Sequence, residues 1–146
     1  MKLTNFCDYS LRVLIYLGIK QEKSSIGEIS KAYNLSKNHI VKVVHNLVKL
    51  GYVRSIQGKG GGITLAVDPR KINLGSIVEK IEPDFNLVEC FNDKKNVCRI
   101  SPVCSLKGFL RQAQKAFLDS LKKHTLEDIL RNKSSLLHLV GPPTKI

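Results

Sequence analysis

Acidic residues are scarce in this sequence. Twelve Asp and Glu stand against 24 Lys and Arg, which leaves a net charge of +12 and a pI near 9.7. A surplus of that size points to a polyanionic partner, most simply nucleic acid. No apolar run reaches the length of a membrane span, and the N-terminus lacks the basic-then-apolar order of a secretory leader. No membrane association is expected, and the cytoplasm is the expected compartment, where thiols stay reduced and can hold metal. There is no internal repeat and no low-complexity tract. No nucleophile–base–orienter set stands out, so an enzyme is not expected. The length of 146 residues fits one domain, or one small domain with an extension, and the 42% apolar content is enough for a core.

The sequence also lacks the tight cysteine knuckles of structural zinc sites. It has four cysteines, and three of them, Cys90, Cys98 and Cys104, share one polar stretch with the spacing C-x7-C-x5-C. Thiolates are soft ligands suited to iron–sulfur clusters, zinc or copper(I). Spacing this wide fits a loop wrapped around a larger object, such as a cluster of several irons. The plainer alternative is three unrelated reduced cysteines, or a disulfide pair. Cys7 lies far from the others and reads as a buried thiol.

The positive charge is uneven. Residues 1–75 carry 12 basic and 4 acidic residues, and residues 76–146 carry 12 and 8. A nucleic-acid reading head therefore belongs in the first half. Thr4 or Asn5 caps a first helix ending near Ile19, with Phe6, Tyr9, Val13, Tyr16 and Leu17 at helical spacing. Ser25 opens a second helix, and Asn34 and Leu35 make a tight turn. Ser36 caps a third helix that ends at Gly51. Two helices joined this closely form a helix-turn-helix pattern. After Gly51 the period changes to alternation. Two strands follow, over residues 52–56 and 63–67, joined by a GKGGG turn. That turn is not a phosphate loop, because the P-loop pattern is absent and no helix follows directly. Helix-turn-helix then hairpin predicts a winged helix.

On that frame Ser36, Lys37, Asn38, His39 and Lys42 begin the reading helix. Arg54 and Lys59 sit on the wing, within reach of a flanking minor groove or phosphate. Asn38 suits a base contact, since an amide pairs bidentately with adenine. His39 is a possible DNA contact, while His45 reads as ordinary surface or core. A short helix over residues 75–81 ends before Pro83. A long amphipathic helix over residues 103–123 places Leu106, Phe109, Leu110, Ala113, Phe117 and Leu121 on one stripe. That helix either packs back on its own domain or makes a homodimer, with Leu110, Ala113, Phe117 and Leu121 as its seam. A last short helix starts at Thr125, and the tail from Asn132 is expected to be loose apart from its leucines. The expected organisation is a winged-helix unit over residues 1–82, a cysteine loop over 83–104, dimerisation and short C-terminal helices over 103–131, and a tail over 132–146.

These residues resemble a known family. Residues 3–12 (LTNFCDYSLR), 36–39 (SKNH), 51–53 (GYV), 58–62 (GKGGG), Glu82 with Pro83, 88–90 (VEC), 98–104 (CRISPVC), Leu106 with Lys107, and 124–126 (HTL) are similar to the bacterial iron–sulfur-cluster winged-helix regulators. The match runs from Met1 to about Lys133. Within that family it resembles the nitric-oxide-sensing repressors. The sister regulators of cluster assembly place a histidine ligand three residues after the last cysteine. Here that position is Lys107, whose ammonium has no free lone pair.

The resemblance implies a mainly α fold with a small β-hairpin wing, a homodimer, and double-stranded operator DNA as partner. It implies a cluster, 4Fe–4S rather than 2Fe–2S, held by Cys90, Cys98, Cys104 and Asp8, the carboxylate coming from the other subunit. Nitric oxide would be the signal, with cluster nitrosylation releasing the repressor from its operator. From the residues alone, the favoured reading of Asp8 is a first-turn acid paired with Arg12. A sensor of iron supply or oxidant on the same scaffold is the alternative function, and an electron-transfer module is a third reading.

Overall fold

The structure, a computed structural model, describes residues 1–141. Helix α1 (Asn5–Lys20) starts where the Thr4 hydroxyl accepts the Cys7 N–H at 3.2 Å. Its inward face is Cys7, Ser10, Val13, Leu14, Tyr16, Leu17 and Ile19. Phe6, which helical spacing placed with the core, is 37% exposed, whereas Cys7 is fully buried, as its reading as a buried thiol expects. Helix α2 (Ile26–Tyr33) opens with a reciprocal capping box between Ser25 and Glu28. It stops at Asn34, held at φ 51°.

Helix α3 (Lys37–Lys49) buries Ile40, Val43, Val44 and Leu47. It closes in a Schellman motif: the Gly51 N–H donates to the Val48 carbonyl and the Tyr52 N–H to that of Leu47, both at 3.0 Å. Gly51 adopts φ +82°, a left-handed conformation that a side chain would strain. The chain leaves α3 straight into the wing. Strands β1 (Val53–Ile56) and β2 (Gly62–Leu65) pair antiparallel, with Val53 opposite Leu65 and Ile56 opposite Gly62. Ser24 adds a bridge to Ile63, which ties the wing to the start of α2.

Helix α4 (Leu74–Ile81) follows, then the cysteine segment with single 3-10 turns at Glu89–Phe91 and Ser101–Val103. Helix α5 (Ser105–Leu121) starts two residues later than the sequence pattern suggests, because Pro102 sits in the preceding 3-10 turn and Cys104 is extended. Helix α6 (Leu126–Leu130) completes the core with Leu126 and Leu130.

The expected loose tail is instead a helix, α7 (Lys133–Val140), whose Leu136 and Val140 pack on the core beside α1. Two inward apolar residues do not make a legible stripe, and tertiary packing is what holds so short a helix. The last part of that tail, residues 142–146, lies outside the described residues. No helix among the described residues is long and apolar enough to cross a membrane.

The core runs through α1, α3, α4 and α6. Helix α5 has no buried residue along its whole length. Leu118 and Leu121 pack on the core, whereas Leu106 and Phe109 stay 59% and 63% exposed. Leu121 therefore leaves the expected dimer seam for its own domain, and the free apolar stripe runs through Leu106, Phe109 and Ala113.

Candidate functional site

Two surfaces gather the residues that the sequence singled out. The first is the outer face of α3 with the wing. Ser36, Lys37, Asn38, His39 and Lys42 are all exposed there, and so are Arg54 on β1 and Lys59 at the hairpin tip. Ser36 makes no side-chain cap bond, so its hydroxyl is not committed to the helix. Val41 shares this face and is exposed, and so is His45, which the sequence pattern made ordinary surface or core. The wing tip is braced by Lys23, whose Nζ donates to the Gly60 carbonyl at 2.6 Å. At Gly61 even a Cβ would run into the Ile56 carbonyl, so only glycine closes the turn.

The second surface is a cavity of about 600 Å³ at the start of α5. Cys98 and Cys104 line it, with Asp93, Arg99, Lys107 and Arg111 among their neighbours. Cys98 is fixed by its N–H donating to Asn96 Oδ1 at 3.0 Å and its carbonyl accepting from the Ser101 N–H at 3.2 Å. Cys90 does not line the cavity. It sits in the Glu89–Phe91 turn, 8% exposed, and the Arg111 guanidinium links the two by lying 5.3 Å over the Phe91 ring. All four cysteines are free thiols.

This donor set fits an iron–sulfur cluster. Two reduced thiols line one open cavity, the third lies in the turn whose Phe91 ring meets Arg111 of the cavity wall, and the three cations on that wall suit the negative charge of a thiolate-ligated cluster. Nothing lies within 4 Å of the point where a Gly108 Cβ would stand, so there is room beside the thiols. Among the described residues no three His, Cys, Asp or Glu side chains converge on one metal ion. Thiolates that each bind a different iron of one cluster have no need to.

Asp8 stands apart from this cavity within the single chain. Its carboxylate pairs with Arg12 at 2.8 Å, one helical turn away, and both side chains are 42% exposed. Arg12 in turn lies 5.9 Å from the ring centroids of Tyr9 and Tyr33. Tyr9 packs against His39 in the first turn of α3, with ring centroids 6.2 Å apart. Cys7, next to Asp8 in sequence, is fully buried. Burial first, and then the nearby Glu82 carboxylate, raise its thiol to about 12, as befits a core group.

The chain is 52% identical over 142 residues to "HTH-type transcriptional regulator NsrR" of Bacillus subtilis, covering 96% of this chain and 97% of the relative. It is 50% identical to the Bacillus licheniformis protein of the same name, covering 97% and 100%. Among solved structures, CymR (YrzC), the global cysteine regulator of B. subtilis, superposes with a TM-score of 0.72 at 26% identity, over 90% of this chain and 97% of that one. Its fold is the winged helix-turn-helix seen here. Residues 3–132 match the Rrf2 family, described as "Iron-dependent Transcriptional regulator". Such proteins act on DNA and are regulators, not enzymes. The chain belongs to the Rrf2 family of iron-dependent transcriptional regulators.

Proposed function

We propose that this chain is a homodimeric, iron–sulfur-cluster-dependent repressor whose hold on operator DNA is released by nitric oxide. The observation that carries the reading is the thiol-lined cavity, ringed by cations, on a chain that also presents a basic reading face. The resemblance of the sequence to nitric-oxide-sensing repressors supplies the signal.

Cys90, Cys98 and Cys104 would hold the cluster, 4Fe–4S in preference to 2Fe–2S, with Asp8 of the second subunit as fourth ligand. When bound, the cluster supplies iron that nitric oxide attacks. A carboxylate is a hard, exchangeable ligand for iron, weaker than the three thiolates. Asp8 therefore has two competing partners, the iron and Arg12. The 2.8 Å Asp8–Arg12 pair is the arrangement available when the carboxylate is free. Because Arg12 also touches Tyr9 and Tyr33, and Tyr9 touches His39, the partner Asp8 takes bears on the reading helix.

Ser36, Lys37, Asn38, His39 and Lys42 would meet base edges and phosphates, with Arg54 and Lys59 on the flanking backbone or minor groove. The second subunit would cover the Leu106, Phe109 and Ala113 stripe. A helix with no buried residue and two large apolar side chains mostly in water is short of a partner. Phe109→Glu should then make a monomer, read by ultracentrifugation.

The test is anaerobic. Purified protein is assayed for iron and sulfide, scanned for cluster absorbance, and bound to its own upstream DNA with and without nitric oxide. Replacing any of Cys90, Cys98 or Cys104 with alanine should remove both absorbance and operator binding, and replacing Cys7 should remove neither. A cluster whose operator binding answers to iron chelation or oxidant, and not to nitric oxide, would replace this signal with the alternative one. A Cys98→Ala protein that keeps its cluster would sink the ligand assignment.

A further inference from the structure

Lys107 is a mostly buried cation with weak partners. Its side chain is 21% exposed, yet among the described residues its ammonium meets only the Ser101 hydroxyl at 3.5 Å and Asp93 at 4.0 Å. The Asp93 side chain is 87% exposed, so it does little to offset the desolvation of the ammonium. A cation held this way calls for an anion, and Lys107 lines the same cavity as Cys98 and Cys104. Two more cations, Arg99 and Arg111, share the wall, against Asp93 as the one carboxylate. Helix α5 begins there without a side-chain cap, so its first N–H groups add the positive end of the helix dipole. The cavity has space beside Lys107, since nothing stands within 4 Å of the Gly108 Cβ position.

We propose that Lys107 is a positioning residue for the cluster, a fixed counter-ion that holds the polyanion in the cavity and sets its reduction potential. This rests on the reading that the three thiolates hold an iron–sulfur cluster. Reduction adds a negative charge to an already anionic group. A cation in the cavity wall stabilises the reduced form more than the oxidised one, so Lys107 raises the potential and slows cluster loss. Lysine at this position is then more than a missing ligand, because it supplies charge where it cannot supply a lone pair.

The experiment compares the cluster-loaded parent with Lys107→Met, Lys107→Gln and Lys107→Arg under anaerobic conditions. Iron and sulfide per chain, midpoint potential by spectroelectrochemical titration, and the rate of bleaching by an iron chelator are measured. Both neutral variants should shift the reduction equilibrium about tenfold toward the oxidised form, which is 59 mV for a one-electron couple. They should also bleach faster, while Lys107→Arg keeps parental values. Neutral variants with the parental potential and bleaching rate would overturn the proposal. So would an arginine variant as perturbed as the neutral ones, since shape and not charge would then be at work. A parent that binds neither iron nor sulfide fails the cluster reading itself, an outcome distinct from an intact parental cluster that ignores Lys107.

Discussion

Replacing Glu82 should loosen the molecule where the reading head joins the thiol segment. One Glu82 oxygen accepts from the Thr4 backbone N–H at 2.8 Å and from the Thr4 hydroxyl at 3.1 Å. The Thr4 hydroxyl is also the cap of α1, accepting from the Cys7 N–H. Hydrogen bonds to a charged group contribute about 1.5–3 kcal/mol each, and two on one oxygen add up to less than their sum. Glu82→Ala should therefore cost about 3 kcal/mol, or about 9 °C in Tm for a chain of this size. Glu82→Gln keeps an acceptor oxygen without the charge and should cost about half as much. Thr4→Ala removes the hydroxyl but not the N–H, and should cost about 1 kcal/mol. The double variant should fall short of the sum of the singles by about 1 kcal/mol, because the hydroxyl–carboxylate bond is lost only once. The assay is urea unfolding of cluster-free protein followed by circular dichroism at one fixed protein concentration, since the proposed dimer would make stability concentration-dependent. An additive cycle, or a Glu82→Ala loss below about 1 kcal/mol, would refute this account of the junction.

Lys59→Ala should weaken binding to all DNA sequences alike and flatten the salt slope by about one unit, read by anisotropy titrations at several salt concentrations; an unchanged slope would take the wing off the DNA. Gly75→Ala puts a Cβ 2.7 Å from the Lys122 backbone nitrogen and 3.0 Å from the Leu118 carbonyl. It should cost about 2 kcal/mol by overpacking the α4–α5 contact, measured by thermal unfolding. The Cys7 thiol is raised from its ordinary 9.0 to about 12, so its share of stability is whole below pH 9 and fades as the pH climbs toward 12. Cys7→Ala should lose less stability than the parent over that alkaline window, and iodoacetamide at pH 8 should spare Cys7 in native protein; prompt alkylation there would contradict its burial.

The reading head was legible because each of its boundaries has a local chemical cause. Ser25 with Glu28, Asn34 in the left-handed region and Gly51 in a Schellman motif are short-range signals that need no tertiary context. The GKGGG turn announced the wing in the same way. The three thiols were legible as a group by type and spacing, whereas the cations around them were not. Arg99 and Arg111 look like ordinary surface charge in the sequence, Lys107 is marked there only as a missing ligand, and only the fold brings the three to one cavity wall. The α7 helix and the inward turn of Leu121 were missed for a related reason. Each depends on which neighbour is available, α1 in one case and the core beneath α5 in the other. Phe6 turns out to be exposed where helical spacing placed it inward, while Cys7 is buried as expected, and the Thr4–Glu82 contact at the start of α1 spans 78 residues and leaves no local signal.

That long-range contact also bears on how a change at the thiols could reach DNA. Helix α5 is held at one end. Near its C-terminus the Lys122 carbonyl accepts from Asn73 Nδ2 at 2.7 Å, the Lys122 ammonium meets Glu79 at 2.6 Å, and the His124 carbonyl accepts from the Leu74 N–H at 3.0 Å. These bonds and the glycine contact at Gly75 make the end of α5 move with α4. Toward its N-terminus, Leu106 and Phe109 are mostly in water, and the ties to its own chain are side-chain contacts: Lys107 with Ser101, Arg111 over the Phe91 ring, and Gln114 donating to the Phe85 carbonyl. Phe85 lies just past Glu82, so the cysteine segment is strung between a fixed α4 and the more lightly held thiol end of α5. A shift at that end is resisted at these contacts and then at Glu82, and from Glu82 the next rigid body is α1. Helix α1 packs directly on α3, and Tyr9 meets His39 at the start of the reading helix. If this path carries the signal, Glu82→Ala should separate cluster state from operator affinity while leaving the thiols and their cluster untouched. Cluster-loaded Glu82→Ala would then bind operator no better than its cluster-free form. A variant that loses stability yet keeps the full affinity difference between the two forms would place the coupling in the Asp8–Arg12 pair and not in the junction.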